Sequence, residues 1–429
     1  MTAALADPRD CLRELFMEAV RAADPFTVIP PALPLPPPGR TFVLGVGKAA
    51  ARMAQAVERH WPGPLCGLVT VPHGQALPLR HIELVEAGHP VPDRAGMRAA
   101  ARALALAERA GEEDLVLVLL SGGGSALWTL PPAGLELEEL ARLNAALLRS
   151  GATIAEMNTV RRHLCRIKGG RLARAAWPAR VHTLAVSDVP GDDPLVIASG
   201  PTVADPTSCA DALAVLERYG LHNTTAASWL RRCPDETPKP GAPCFARSRF
   251  ALVARPIASL RAAAERAQGL GLSCLILGDA IEGEAREVGR VLAGIARASA
   301  RHGEPLAPPA LLLSGGETTV TVTGAGRGGR NVECLLSFAL ALDGQAGIWA
   351  LMADTDGVDG AAPVAGAVVG PDTLARARAA GIDPRAALEA HDAHTFFDHL
   401  GDQLVTGPTH TNVNDFRAVL ILPQKAEEG

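Results

Sequence analysis

Four glycine-rich stretches hold the residues whose types and spacing suit anion chemistry. They are Gly45-Val46-Gly47-Lys48-Ala49-Ala50, Ser121-Gly122-Gly123-Gly124-Ser125, Ser314-Gly315-Gly316-Glu317 and Gly326-Arg327-Gly328-Gly329-Arg330-Asn331. Glycine lets backbone N–H groups close on a ligand, and the start of a following helix favours negative charge. A tight turn accounts for any one of these stretches alone. Four in one chain, two of them carrying a cation, point to phosphate or carboxylate binding. Lys48 and Arg330 are then the candidate functional cations. Gly45, Gly47, Ser121, Gly122, Gly123, Gly124, Ser125, Gly315, Gly316, Glu317 and Asn331 are the candidate contacts. Lysine occurs at only four positions, 48, 168, 239 and 425, and Lys48 and Lys168 are the two that adjoin glycines.

Acidic residues follow two expected strands. Ser187-Asp188-Val189-Pro190-Gly191-Asp192-Asp193 is one such segment, and Asp354-Thr355-Asp356-Gly357-Val358-Asp359-Gly360 is the other. Carboxylates at the C-terminal ends of strands stand where open α/β sheets bind ligands. There they can hold Mg²⁺ or accept a proton from a hydroxyl. Asp188 is the candidate for either role, and Asp356 for the metal. Asp192, Asp193 and Asp359 read as turn residues.

Several chemistries are disfavoured. The first glycine stretch fits G-x-G-x-x-A, a variant of the dinucleotide fingerprint, but that motif needs an acid roughly 20 residues on to hold a ribose. Residues 62–75 contain no Asp or Glu. A Walker A loop would need glycine at Phe42 and Ser or Thr at Ala49, and no G-x-S-x-G elbow surrounds Ser125. The eight cysteines form no C-x-x-C pair and no zinc-type Cys/His spacing, so they read as buried small hydrophobes in a reducing compartment. A formal charge of −5 and 3% aromatic residues disfavour a nucleic-acid partner. The longest aliphatic strand-like run, Leu115–Leu120, is far short of a membrane span. The cytoplasm is the simplest compartment. Monomer and homodimer both stay open.

The elements that position these residues alternate along the chain. Residues 9–23 read as an amphipathic helix with Leu12, Leu15, Phe16 and Ala19 on one face. A stiff proline connector follows at residues 30–38. Strands are expected at 41–45, 65–71, 82–86, 115–120 and 181–187, with helices at 49–60 and 94–110 between them, which implies a largely parallel sheet. Pro234, Pro238, Pro240 and Pro243 mark a candidate linker. Beyond it, strands are expected at 250–254, 273–277, 310–313, 318–323, 348–352 and 417–422. The alternating β-branched pattern of 318–323 suits a half-exposed, antiparallel partner. The fold class is thus α/β with two α/β domains, the first Rossmann-like and the second with a mixed sheet.

The motifs together resemble the glycerate 2-kinase family whose C-terminal part is the MOFRL domain. The matching stretches are GVGKAA at 45–50, LLSGGGSAL at 119–127, MNTVRRHLCRIKGGRLA at 157–173 and SDVPGDDPLVIASGPTVADPT at 187–207. SGGETTVTVTGAGRGGRNVE at 314–333, DTDGVDG at 354–360 and TGPTHTNVNDF at 406–416 complete the series. The resemblance implies transfer of the ATP γ-phosphoryl group to the 2-hydroxyl of D-glycerate with Mg²⁺ or Mn²⁺. It implies a site in the cleft between two domains, residues 1–240 and 241–429, with the MOFRL domain at about 310–425, and it points to Lys48 and Arg330 as functional cations. Such chains are often labelled hydroxypyruvate reductase, which leaves an NAD(P)H-dependent reductase as one alternative and a non-catalytic sugar-acid or nucleotide sensor as another. The family pattern has Gly at Asp354 and His410, Asn and Tyr at His391 and His394, and a polar strand end at 254–256, where this chain has Ala-Arg-Pro.

Overall fold

Leu115–Leu120 has no polar face to give to water, and in the computed structural model it is a strand buried along its whole length. The structure describes residues 7–360 and 362–423. The strands are β1 Thr41–Val46, β2 Leu65–Pro72, β3 Ile82–Ala87, β4 Leu115–Leu120, β5 Arg180–Val186, β6 Ser248–Ala254 and β7 Ser273–Gly278. They continue with β8 Gly283–Glu284, β9 Ala310–Gly316, β10 Thr318–Thr319, β11 Ile348–Asp354, β12 Gly366–Val369, β13 Gln403–Leu404 and β14 Asp415–Ile421.

The first six strands form one sheet in the order β3-β2-β1-β4-β5-β6. The pairings of β1 with β2 and β4, of β2 with β3 and of β4 with β5 are parallel. The order reverses between β1 and β4, and an open parallel sheet leaves a crevice at that point. Val46 pairs with Leu120, so the glycine loops after β1 and β4 leave the sheet side by side. Helix Ala50–His60 buries Ala50, Met53, Ala54 and Val57. Helix Arg94–Ala107 packs Ala99, Ala100 and Ala103 onto the same core as Phe42, Val116 and Leu120. It ends three residues before the expected stop at 110.

The second sheet is mixed, in the order β13-β12-β11-β14-β9-β7. β7 and β9 are parallel, whereas β14 runs antiparallel to both β9 and β11. One face packs on helices Ala285–His302 and Arg330–Leu342 through Leu292, Leu335 and Phe338. The other packs on helices Pro8–Ala22 and Pro256–Gly269. Leu12, Leu15, Phe16 and Ala19 are all buried there, and Arg266 bonds Glu14.

Contacts divide the chain into a unit of Pro25–Val253 and a unit comprising the N-terminal segment to Asp24 and everything from Ala254 onward. The chain therefore parts at 253/254, where the sequence places the boundary at 240/241, and the first helix groups with the C-terminal half. The proline run is not a free linker, because Arg171 and Arg174 both hold Asp235 and the Asp205 N–H donates to the Pro238 carbonyl. Lys425 and the outer ends of both expected domains lie outside the described residues.

Three local expectations change. The 318–323 strand stops at Thr319, which pairs in parallel with Glu284. The Glu284 carboxylate then accepts the Thr321 N–H and hydroxyl, in place of a further ladder bond. Ser314-Gly315-Gly316 is not a loop but the end of β9, in register with Arg417, Phe416 and Asp415. Cys209 and Cys233, expected as free thiols, are joined in a disulfide. They flank helices Cys209–Arg218 and Thr225–Arg232, which share a core through Ala212, Leu216 and Leu230, so tertiary packing pairs cysteines with no motif spacing.

Gly47 has φ +123°, and an added Cβ would stand 2.3 Å from the Ser121 Oγ and 2.5 Å from its carbonyl oxygen. Gly47→Ala should therefore destabilise the Pro25–Val253 unit by about 1–3 kcal/mol. A lowered urea midpoint is the expected result, and a wild-type midpoint would show that the two loops do not pack as described.

Candidate active site

The two switch-point loops are tied to each other. Gly47 N–H donates to the Thr70 carbonyl at 3.1 Å, Lys48 N–H to the Gly122 carbonyl at 2.9 Å, and Ala49 N–H to the Ser121 Oγ at 3.0 Å. The Ser121 N–H returns to the Val46 carbonyl. These N–H groups are committed within the protein, so the glycines here serve close loop packing. An added Cβ at Gly45 would meet Val69, and one at Gly124 would meet Ala198. Ser121 is fully buried. Lys48 is left half-buried beside this lock, and a Cβ at Gly123 would lie 3.6 Å from its Cγ. Ser125 shares a hydrogen bond of 2.8 Å with Ser199 and accepts from Lys168. Asp188 stands two residues beyond β5, half-buried, at the same end of the sheet as Lys48.

The other unit assembles a charged cluster around Arg330, the first residue of helix Arg330–Leu342. Its Nε donates to Asp415, its Nη2 to Asp354 and its Nη1 to Glu317, at 2.8, 2.7 and 2.8 Å. Burial opposes the charge, yet Asp415, Asp354 and Glu317 together hold the guanidinium well above its ordinary pKa. Asp415 is also bonded by Arg417 at 2.6 Å and by the Asn331 amide at 2.8 Å. Arg417 is itself fully buried and donates to the Gly315 carbonyl.

The start of that helix is not open to an anion. Asp359 accepts the Asn331 N–H at 3.1 Å and the Val332 N–H at 2.9 Å. Burial pushes the Asp359 carboxyl up, and those two N–H groups offset part of the shift. Asn331 is fully buried, and its amide joins Asp359 to Asp415. Glycines 324–329 meet protein in the same way: a Cβ at Gly326 or Gly328 would stand 2.5–2.6 Å from the carbonyls of Ala390 and His391, and one at Gly329 would hit Asp359. A Cβ at Gly316 would stand 2.2 Å from the Ile281 carbonyl oxygen.

Asp356 is buried; its Oδ1 accepts the Val358 N–H at 2.8 Å and its own N–H donates to Asp354. The two histidines that depart from the family pattern are built in. His391 pairs with Glu333 at 3.1 Å, and His394 bonds the Asp359 carbonyl at 2.9 Å. Among the described residues, His163, Cys209 and Glu236 are the three whose ligand atoms cluster closely, and the Cys209 sulfur lies in the disulfide.

Sequence reasoning named Lys48, Asp188, Arg330, Glu317, Ser125 and Asp356. It missed Asp415 and Arg417, whose signal is two opposite charges two residues apart in an otherwise apolar strand. It also took Asp359 for a turn residue, whereas the structure uses it as a buried helix cap.

Comparisons with known proteins bear on this geometry. The family model described as "Domain of unknown function (DUF4147)" matches residues 11–232, and the MOFRL family model matches residues 310–415. A chain from Agrobacterium vitis, provisionally named a hydroxypyruvate reductase, is 54% identical over 96% of this chain and 94% of its own. D-Glycerate 2-kinase of Thermotoga maritima is 41% identical over 95% of this chain and 97% of its own. The crystal structure of glycerate kinase from that organism matches with a TM-score of 0.88 at 40% identity, covering 96% of this chain and 99% of that one.

Asp359→Ala leaves two buried helical N–H groups without an acceptor, which costs about 1–3 kcal/mol each. Chemical denaturation should show a clearly lowered midpoint for this variant, and Asp359→Asn, which keeps one acceptor oxygen, should fall between it and wild type. Equal midpoints for all three would remove Asp359 from the capping role.

Proposed function

The chain belongs to the MOFRL-domain glycerate 2-kinase family, and we propose that it transfers the γ-phosphoryl group of ATP to the 2-hydroxyl of D-glycerate, giving 2-phosphoglycerate and ADP. The observation that carries this reading is the match to D-glycerate 2-kinase along nearly the whole of both chains. The switch-point geometry supports it. A dinucleotide site needs the β1 loop open to a pyrophosphate and an acid at the end of β2. Here the Gly47 and Lys48 N–H groups are taken by Thr70 and Gly122, and β2 runs out at Pro72-His73-Gly74. The reductase name carried by the Agrobacterium relative therefore lacks its physical basis in this chain.

Phosphoryl transfer asks a protein mainly for positioning and charge neutralisation. Lys48 supplies a cation on a rigid loop pair. Arg330 supplies a guanidinium whose Nε and Nη2 edges are fixed by buried Asp415 and Asp354, while Nη1 meets Glu317, which is 48% exposed and free to yield to a phosphate oxygen. Asp188, just past β5, is the group to accept the proton of the glycerate hydroxyl. Asp188 and Asp356 also offer hard carboxylate oxygens, the donor class that Mg²⁺ takes one or two at a time when phosphates complete its shell. Mg²⁺ or Mn²⁺, when bound, neutralises phosphate charge. Among the described residues, no helix is long and apolar enough to cross a membrane.

Purified protein should form ADP and 2-phosphoglycerate from ATP, Mg²⁺ and D-glycerate, read by a coupled assay and phosphorus NMR. Robust NADH oxidation with hydroxypyruvate, and no ADP from glycerate, would sink the kinase reading. EDTA should abolish activity, and Mg²⁺ or Mn²⁺ should restore it; an Asp188→Asn variant with wild-type rate and metal dependence would make Asp188 a turn residue.

Lys48→Ala and Arg330→Ala should each lower kcat by about 10²–10³, the usual cost of losing one preorganised charge. Arg330→Lys should fail in large part, because one ammonium cannot span Asp415, Asp354 and a phosphate. Near-normal turnover in any of these, with circular dichroism unchanged, would remove that residue from the site.

A further inference from the structure

Lys168 is 3% exposed, and no carboxylate pairs with it among the described residues. Its Nζ donates to the Ser125 carbonyl at 2.7 Å and lies 3.3 Å from the Ser125 Oγ. Both partners are neutral. Arg161, seven residues earlier and half-buried, also has only neutral partners: its Nε donates to the Asn144 amide oxygen at 3.1 Å and its Nη1 reaches the Asn158 oxygen at 3.4 Å. Burial drives both pKa values down, and for Lys168 burial, with a smaller contribution from the Arg161 charge, brings it to about 8. Elsewhere this protein pairs its buried cations, as with Arg162 and Asp205 or Arg417 and Asp415. A buried lysine and a half-buried arginine with only neutral partners break that pattern, and such charges are costly unless an anion completes them.

The two side chains line one cavity of about 420 Å³ within the Pro25–Val253 unit. Ser125 and Asn144 add polar groups to its wall, and Leu143 and Val160 make part of it apolar. Gly123 stands at its edge, where a Cβ would lie 3.6 Å from Lys48. The cavity thus joins two cations that lack a carboxylate partner to the loop after β4, which stands beside Lys48.

We propose that Lys168 and Arg161 form an oxyanion-binding subsite in this cavity, taking the carboxylate of a small organic acid or a phosphate of a nucleotide. The apolar wall suits the carbon skeleton of either ligand, and the Ser125 hydroxyl adds a neutral donor beside the two charges. An entering anion supplies the missing counter-charge and restores Lys168 to a firmly protonated state. The subsite deepens the kinase reading only through the identity of the two ligands, D-glycerate and ADP; its charge argument stands apart from it.

The test is isothermal titration of the full-length protein with D-glycerate, ADP and inorganic phosphate in turn, for wild type, Lys168→Met and Arg161→Gln. Each variant should weaken one ligand by about tenfold or more, the usual effect of losing a charge-assisted contact. Loss confined to D-glycerate assigns the subsite to the carboxylate, and loss confined to ADP and phosphate assigns it to the nucleotide. Wild-type affinities in both folded variants, or no binding of any of the three by wild type, would overturn the proposal. If Lys168→Met does not fold, the half-buried Arg161→Gln decides alone. Binding that depends on Lys168 without formation of 2-phosphoglycerate would defeat the kinase reading and keep this one; turnover with unchanged binding in both variants would do the reverse.

Discussion

A carboxylate removed from water must be paired, and Asp415 is where the Arg330 unit meets that demand. Arg330, Arg417 and Asn331 all converge on it. Each of these bonds fixes something else. Arg417 reaches from β14 to the Gly315 carbonyl, which holds the end of β9 against its neighbour. Asn331 ties the first turn of the helix to both Asp415 and Asp359. Arg330 is left with a guanidinium oriented on two edges before any ligand arrives, which is the preorganisation that charge stabilisation requires.

The Lys48 unit reaches its geometry by a different route. Its two loops carry few charges and depend on the absence of side chains. At Gly47 any Cβ would collide with Ser121, and at Gly124 with Ala198. The resulting exchange of hydrogen bonds between the β1 and β4 loops satisfies backbone groups that a flexible loop would give to water. It also takes up N–H groups that a dinucleotide fingerprint would turn to a pyrophosphate. One G-x-G spacing can therefore serve either a dinucleotide or a rigid loop pair, and the acceptors of its N–H groups decide which.

Much of this was legible from sequence, because apolar runs and helical periodicity state burial directly. β1, β2, β4 and β11 start where the apolar runs start, and Leu12, Leu15, Phe16 and Ala19 share a buried face as their spacing requires. What stayed hidden depends on tertiary partners. Gly366–Val369 is small and short, and becomes strand β12 by pairing with β11 and β13. Thr318–Thr323 has the right pattern but loses its ladder to the Glu284 side chain. The grouping of the first helix with residues beyond 254 rests on packing against helix Pro256–Gly269, which no local pattern announces. The candidate site divides the same way: Lys48 and Arg330 stand out beside glycines, whereas Asp415, Asp359 and Arg161 acquire meaning only from what they touch.

The Arg330 cluster and the Lys168–Arg161 pair treat charge in opposite ways, and the contrast bears on function. Around Arg330, three carboxylates surround one guanidinium, with a second guanidinium behind Asp415. That cluster is electrostatically satisfied, so an anion arriving there would have to displace a partner, and Glu317 is the half-exposed one. Around Lys168 and Arg161 the partners are a carbonyl, a hydroxyl and two side-chain amides. That pair is not satisfied, so a ligand need displace no ion pair. A site of the first kind offers selectivity, because only an anion that improves on Glu317 gains from entering. A site of the second kind offers affinity, because any well-placed oxyanion relieves a cost already present in the empty protein. A kinase has use for both, since it must hold an acid or a nucleotide firmly while reserving its best charge complementarity for the phosphoryl group in transfer.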